Sequence, residues 1–249
     1  RTRAGEIIAS GGVTVDGRPA TKPSLRVGAD QALVVSGNAD RWVGRAAGKL
    51  VGAFEAFDLE ARGRRCLDIG ACTGGFTQVL LEQGADHVIA LDVGHDQLAP
   101  EISLDPRVED RSGTTVRGLT ADDVGGPVDL VVGDLSFISL RLVLPEIAGV
   151  LTDDGEAVLL VKPQFEVGRG RVGRRGVVTS PEARADALTA VLRAAEEAGL
   201  SVIDLAASPV RGTEGNREYL AHLTRRRDVG TTWQHHQVTI SDLARQEGP

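Results

Sequence analysis

Cys66-Leu67-Asp68-Ile69-Gly70-Ala71-Cys72-Thr73-Gly74-Gly75-Phe76 decides the reading of this chain. An apolar run with the character of a buried strand enters a glycine-rich turn, and a helical pattern follows it. In doubly wound sheets ligands bind beyond the carboxyl ends of the strands. Glycines let backbone approach such a ligand closely. The spacing is neither the G-x-G-x-x-G dinucleotide fingerprint nor the G-x-x-x-x-G-K-[ST] phosphate loop, so a triphosphate is not expected. Asp68 precedes the turn, and Asp92 ends the next expected strand, where an acid can accept hydrogen bonds from a ribose diol. Together they suit a nucleoside ligand such as S-adenosyl-L-methionine (SAM).

Outward from the turn, strands and helices alternate. Arg65–Ile69, His87–Asp92, Val128–Gly133 and Ala157–Val161 read as strands, the last two running into Asp134 and Lys162. Gly75–Gln83 and Leu140–Leu151 read as helices, and Pro181 opens another that runs to about Ala198. Val202–Ala206 and Tyr219–Leu223 are further strands. This order predicts an α/β fold, a mostly parallel sheet covered on both faces. Before it, Val43, Ala46, Ala47, Leu50, Val51, Phe54 and Phe57 follow helical spacing from Trp42 onward. Residues 3–10 end in the helix stop Ser10-Gly11-Gly12. Val13–Val15 then runs into the hairpin signal Asp16-Gly17, and Ala32–Val35 reads as a strand. The expected divisions are a small α+β module over 1–37, a linker over 38–45, the large α/β domain over 46–226 and a flexible tail over 227–249.

The chain has 249 residues, 41% of them hydrophobic and only 3% aromatic, so its core must rest on aliphatic side chains. No apolar run approaches the roughly 18 residues of a membrane span, and no signal peptide opens the chain, so a soluble cytoplasmic protein is expected. The two cysteines make neither a disulfide framework nor a metal site, and no metal is expected. Methionine is absent even at position 1, so the chain reads as a fragment lacking its true start. The net charge of −7 opposes nucleic-acid binding, but the distribution favours it. Residues 1–49 hold eight basic side chains against four acidic ones, and residues 162–176 hold five against one. From these clusters Arg1, Arg3, Arg18, Lys22, Arg41, Arg45, Arg169, Arg171 and Arg174 are the expected RNA contacts. The glycine- and arginine-rich stretch 168–176 is expected to be mobile without RNA.

Four motifs occur in order: the Asp-x-Gly-x-x-x-Gly-Gly-Phe turn, Val128-Asp-Leu-Val-Val-Gly-Asp-Leu-Ser-Phe137, Val161-Lys-Pro-Gln-Phe-Glu-Val167 and Gly215-Asn-Arg-Glu-Tyr219. With them the chain resembles, over residues 1–224, the TlyA family of FtsJ-like ribosomal RNA 2′-O-methyltransferases, also known as hemolysin A. Residues 1–35 resemble the latter part of the S4 RNA-binding domain that heads this family, and Asp40-Arg41-Trp42-Val43 its interdomain linker. The resemblance implies a Rossmann-like class I SAM-dependent methyltransferase fold. It also implies methylation of a cytidine 2′-hydroxyl in 16S or 23S ribosomal RNA, with ribosomal subunits as partners and the chain itself a monomer or weak dimer. It implies a Lys-Asp-Lys-Glu tetrad at Lys49, Asp134, Lys162 and Glu218, with Lys162 meeting the 2′-oxygen as a base or as a cation. SAM is assigned to Asp68, Gly70, Ala71, Thr73, Gly74, Gly75, Phe76, Asp92 and Asp134. The chain departs from the family pattern at Gly44-Arg45-Ala46 and Ser112–Arg117, so contacts near the adenine are expected to differ. The rival readings are a methyltransferase with another substrate, a binding module that has lost catalysis, and a pore-forming hemolysin. Asp134-Leu135-Ser136-Phe137 lacks the prolines of an exocyclic-amine methyltransferase, the tetrad is undamaged, and amphipathic membrane segments are not evident.

Overall fold

The computed structural model describes residues 2–9, 12–20, 22–28, 30–35, 41–173, 175–212 and 214–246. Of the expected site residues, Arg1 and Arg174 lie outside the described residues, as do the side chains of Arg3 and Arg169 and the linker residues 38–40. The chain divides into two compact units, Arg1–Arg45 and Ala46–Pro249.

In the smaller unit α1 (Thr2–Ala9) precedes a three-stranded antiparallel sheet of β1 (Val13–Val15), β2 (Arg18–Pro19) and β3 (Leu33–Val35), in the order β2-β1-β3. Asp16 and Gly17 both take positive φ, +50° and +75°, as a two-residue hairpin turn of this hand requires. The Asp16 carboxylate also accepts from the Ala32 amide at 2.8 Å and from Gln31 Nε2 at 2.8 Å, tying the hairpin to the approach of β3. Val13, Val15 and Ala20 form its small core, with Ile7 and Ile8 packed against them. Within the linker, Arg41 stacks its guanidinium over the Trp42 ring at 4.7 Å. The helix expected from Trp42 starts only at Ala47. Residues 41–46 form turns and bends, so the apolar spacing there does not mark a helix.

The larger unit holds α2 (Ala47–Phe57), β4 (Arg65–Ile69), α3 (Gly75–Glu82), β5 (His87–Asp92), α4 (Pro100–Ser103), β6 (Val108–Ser112), β7 (Val128–Gly133), α5 (Leu144–Val150), β8 (Leu151–Val161), α6 (Pro163–Glu166), α7 (Pro181–Glu197), β9 (Ser201–Ala207), β10 (Tyr219–Thr224) and α8 (Trp233–Arg245). The seven strands run in the order β6-β5-β4-β7-β8-β10-β9. The first five are mutually parallel, and β10 runs antiparallel between β8 and β9. The chain winds outward from β4 in both directions, so the switch point lies between β4 and β7. Leu67, Ile69, Ile89, Val131, Leu159 and Val161 belong to one buried aliphatic core that also takes in Leu188, Val191 and Leu192 of α7.

Several expectations change. Leu140–Leu151 is not one helix: a 3-10 turn over Leu140–Leu142 gives way at Val143 (φ −130°) to α5. Pro145 has no N–H and restricts the residue before it, so it fits only in the first turn of a new helix. The next strand is longer than expected, because β8 starts at Leu151, directly after α5. The tail over 227–249 was expected to be flexible, yet it contains α8. The Thr232 hydroxyl caps that helix by accepting from the His235 amide, and His236, Ile240, Leu243 and Ala244 are buried along one face. Arg184 of α7 fastens its end, donating from Nε and Nη2 to the Ala244 carbonyl at 3.2 and 2.6 Å. The expected helix over Pro181–Ala198 matches α7, with Ser180 accepting from Ala183 N at 3.1 Å as its cap.

Candidate active site

Strand register lines up the site. Ile69 pairs with Leu91 on one side and Gly133 on the other, and Gly133 pairs with Leu159. The residues that follow these strands therefore lie along one edge of the sheet. Antiparallel β10 starts at that same edge, with Tyr219 opposite Val161, so Glu218 lies level with Lys162.

At the first of these strand ends, Gly70 (φ +84°), Cys72 (φ +49°) and Gly74 (φ +92°) make the turn into α3. A Cβ on Gly70 would stand 3.1 Å from the Asp134 carbonyl oxygen, which is why this position is glycine. Asp92 closes the turn: Oδ2 accepts from the Cys72 amide at 2.9 Å and Oδ1 from the Gly94 amide at 2.8 Å. Each carboxylate oxygen keeps a further lone pair for a diol. Beside it Val93 exposes 69% of its surface, an apolar rest for an adenine ring. Thr73 is exposed on the turn, and the first N–H groups of α3 have no partner within the helix, which suits a carboxylate. The residues present thus fit a nucleoside carrying an amino-acid tail.

Two expected cofactor residues are placed differently. Asp68 is 0% exposed and lies beneath the turn, where Oδ2 accepts from the Thr77 hydroxyl at 2.7 Å. Burial pushes its carboxyl up to about 7, even though the Thr77 hydrogen bond favours the charged form. Phe76 is also buried and backs the turn from inside the core. Both support the loop from below, because they point inward where the strand enters the turn and the helix leaves it.

The structure brings the four tetrad residues together. Lys49 Nζ donates to Asp134 Oδ2 at 3.1 Å and stands 2.7 Å from Glu218 Oε2. Lys162 Nζ stands 2.7 Å from Asp134 Oδ1 and donates to Ser136 Oγ at 2.7 Å. The 2.7 Å contacts with Asp134 Oδ1 and Glu218 Oε2 are close charge contacts whose angles fall short of aligned hydrogen bonds. Lys162, Asp134, Lys49 and Glu218 thus alternate in sign along a nearly buried row, with Lys49 3%, Glu218 4% and Lys162 6% exposed. Burial alone would raise the Asp134 carboxyl, but the ammoniums of Lys49 and Lys162 outweigh it and hold it below the ordinary aspartate value. Lys49 reaches the row because α2 approaches the segment before Glu218 closely. A Cβ on Gly52 would stand 2.5 Å from Pro209 Cγ, and one on Gly48 would stand 3.2 Å from Val210 Cγ2. Glycine costs a helix about 1 kcal/mol relative to alanine, and here the close packing offsets that cost.

Of the expected RNA contacts, Arg18, Lys22, Arg41 and Arg45 are exposed on the N-terminal unit. Arg171 belongs to the larger unit and pairs with Asp186 at 2.5 Å. The stretch around it is better anchored than its composition suggests. Val172 packs against Val167, Val178, Ala183 and Ala187. The Gly173 amide donates to the Val177 carbonyl, and the Asn216 side chain bridges Gly176 O and Val178 N at 2.8 and 2.9 Å.

Four residues at the site were not picked out from the sequence: Ser136, Phe137, Glu166 and Asn216. Phe137 is 93% exposed with φ +64°, an unusual backbone for a bulky residue. Its ring lies 5.4 Å from that of Phe165. Both rings line a cavity of about 510 Å³ shared with Ile138, Ser139, Gln164, Gly168 and Val172. Glu166 is buried, and its carboxylate accepts from the Leu140 amide and the Ser139 hydroxyl. A signal for Glu166 was available, since a lone polar side chain between apolar neighbours, here Phe165 and Val167, is often buried for its hydrogen bonds; Asn216, among Gly215, Arg217 and Glu218, carries no such signal.

FtsJ-like methyltransferases match residues 42–225, and the S4 domain matches residues 1–33. The chain is 52% identical to the 16S/23S rRNA (cytidine-2′-O)-methyltransferase TlyA of Mycobacterium tuberculosis, over 92% of this chain and 85% of the relative. It is 35% identical to Hemolysin A of Brachyspira hyodysenteriae, over 89% and 92% of the two chains. A solved structure from Streptococcus thermophilus, named as a hemolysin candidate, superposes with a TM-score of 0.81 at 35% identity, covering 98% of this chain and 89% of that one. The glycine turn at the switch point, the row of alternating charges beside it and these matches agree: the chain belongs to the FtsJ-like methyltransferases, within the TlyA family.

Proposed function

We propose that this chain transfers a methyl group from SAM to the 2′-hydroxyl of a cytidine in ribosomal RNA. The observation that carries the reading is the buried Lys162–Asp134–Lys49–Glu218 row at the strand ends next to the glycine turn. SAM would be held by the backbone of Gly70–Gly75, by Asp92 at its ribose and by the first turn of α3 at its carboxylate; when bound it supplies an electrophilic methyl group. The chain's own task is then to hold a weak nucleophile in line and to manage its proton. Lys162 meets the 2′-oxygen, accepting its proton or stabilising the developing alkoxide. Asp134 holds the two ammoniums apart and in place, and Lys49 is fixed in turn by Glu218. With both lysines protonated the row is neutral as a whole, which keeps four buried charges tolerable; to accept the proton, Lys162 must first have given up its own.

The cavity between Phe137 and Phe165 suits a nucleobase turned out of its stack, since RNA readers stack unpaired bases on aromatic rings. The exposed cations Arg18, Lys22, Arg41, Arg45 and Arg171 supply phosphate contacts, with Arg171 exchanging Asp186 for phosphate. Such a protein works where ribosomes are, in the cytoplasm.

The test is transfer of tritium from methyl-labelled SAM to ribosomal subunits lacking the modification, with the methylated nucleotide mapped. Label on a cytidine 2′-oxygen supports the reading, and label on a base or on protein overturns it. The name Hemolysin A of one relative motivates a parallel liposome-leakage assay. Among the described residues no helix is long and apolar enough to cross a membrane. Leakage without methyl transfer would replace the enzymatic reading.

A further inference from the structure

Lys162 is held near the row by charge but aimed by something else. Its contact with Asp134 Oδ1, at 2.7 Å, is close but poorly aligned, and a charge contact of that kind has little directional preference. Its aligned hydrogen bond goes to Ser136 Oγ, also at 2.7 Å. Nitrogen at the end of a lysine is tetrahedral and rotates about the Cε–Nζ bond. One aligned hydrogen bond stops that rotation and fixes the other two positions in space. Around them stand Asp134 Oδ1 at 2.7 Å and the Phe165 ring at 5.9 Å, and neither makes an aligned hydrogen bond, so one position remains for substrate. The last position carries an N–H if Lys162 is an ammonium and the lone pair if it is an amine.

Ser136 is suited to such a role. It is exposed, whereas Lys162 is nearly buried, so its hydroxyl meets the nitrogen at the open end of the row. Its segment is also held firmly. The next residue, Phe137, has φ +64°, a conformation that persists only where the surroundings impose it. Glu166, on α6 right after Lys162, fastens the residues that follow Phe137. Its side chain is 1% exposed, Oε1 accepts from the Leu140 amide at 2.8 Å, and Oε2 accepts from the Ser139 hydroxyl at 2.6 Å. Arg141 Nε adds a charge contact at 3.3 Å. One short stretch therefore carries Lys162 and also clamps the loop that presents Ser136.

We infer that Ser136 is a positioning residue for methyl transfer: its hydroxyl fixes the rotation of Lys162 Nζ so that the remaining position faces the 2′-oxygen. This rests on the reading of the chain as a 2′-O-methyltransferase.

The experiment uses the full chain, unmodified ribosomal subunits and tritiated SAM, with Ser136→Ala and Ser136→Thr compared with wild type. A misaimed group at a reacting centre costs roughly 10–100-fold. Ser136→Ala is expected to lose kcat by about that factor, with KM for subunits and Kd for SAM within about 2-fold of wild type. Ser136→Thr keeps the hydroxyl and is expected to recover to within about 3-fold. An unchanged kcat in Ser136→Ala would overturn the inference. So would a loss confined to KM, which would make Ser136 a surface contact for RNA, or a threonine variant as slow as the alanine one. If wild type transfers no methyl group to subunits, the functional reading falls first and this inference with it.

Discussion

Lys49 has two anionic partners, and that makes its removal quantitatively informative. Lys49→Met keeps the length of the side chain and suits a site only 3% exposed. It leaves Asp134 with Lys162 at 2.7 Å, but it strips Glu218 of the ammonium that stands 2.7 Å away. At an effective dielectric of about 20, two unit charges at that distance attract by ~6 kcal/mol. Desolvation of both ions offsets part of this, and breaking a buried pair by removing one partner costs about 3–5 kcal/mol. The lower end is expected, about 3 kcal/mol, because Asp134 keeps Lys162 as a partner. Glu218→Gln leaves Lys49 with its hydrogen bond to Asp134 and should cost less, about 2 kcal/mol. The double variant removes both halves of the contact and should cost about 3 kcal/mol rather than their sum, a coupling of about 2 kcal/mol. Urea unfolding followed by circular dichroism measures each value through the midpoint shift. Additivity of the two substitutions to within about 0.5 kcal/mol would refute the argument that Lys49 and Glu218 act as a pair.

Asp92→Ala should weaken SAM binding by about 1–3 kcal/mol, from a lost acceptor for the diol. The upper half of that range applies, because Asp92 also pins the Cys72 and Gly94 amides, and calorimetry with unchanged affinity would remove Asp92 from the site. Asp68 supplies a pH prediction. Its folded-state pKa is raised to about 7 by burial, while the unfolded chain has the ordinary value of about 3.9. The folded state therefore holds the proton more tightly, and this group's contribution falls as pH rises from about 4 through about 7. Asp68→Asn keeps an acceptor for Thr77 and cannot ionise, so its stability relative to wild type should improve by about 2–4 kcal/mol between pH 4 and pH 8. A flat difference across that range would show that Asp68 does not titrate there. Deleting residues 1–37 should slow methylation of ribosomal subunits severely while changing SAM affinity little, since two modest RNA contacts on one chain raise each other's effective concentration. Equal rates with and without the segment would make it dispensable.

Much of the large unit was legible because its signals are local. Apolar runs that stop at Gly70, Asp92, Asp134 and Lys162 mark strand ends, and strand ends in a parallel sheet converge on one edge. Glu218 joins them only because β10 runs antiparallel, which no local pattern reveals; the motif resemblance supplied it. Val108–Ser112 was missed as a strand because Val-Glu-Asp-Arg-Ser has no apolar alternation and forms the sheet edge next to β5. The C-terminal helix was missed because its buried face is sparse. His236, Ile240, Leu243 and Ala244 have helical spacing, but polar residues surround them and His236 does not read as core. Trp42 and Val43 misled in the other direction, since apolar spacing upstream of Ala47 continues a helical pattern without continuing the helix. Ser136 and Glu166 were hidden for a different reason. Their roles are contacts across 26 and 27 residues of sequence, between two strand-end loops, and depend on the strand order rather than on either segment alone.

The central claim is that Lys162 acts on the 2′-oxygen rather than on the cofactor. Single-turnover methyl transfer to unmodified ribosomal subunits, measured for wild type and Lys162→Ala beside calorimetric SAM binding, tests it most directly. The expected result is a cytidine 2′-O-methyl product with wild type, and for Lys162→Ala a rate lower by about 10²–10⁴-fold, as for loss of a group that manages a proton or stabilises the developing charge, with SAM affinity within about 2-fold. Substantial turnover by Lys162→Ala, or a loss of activity matched by a loss of SAM binding, would contradict it.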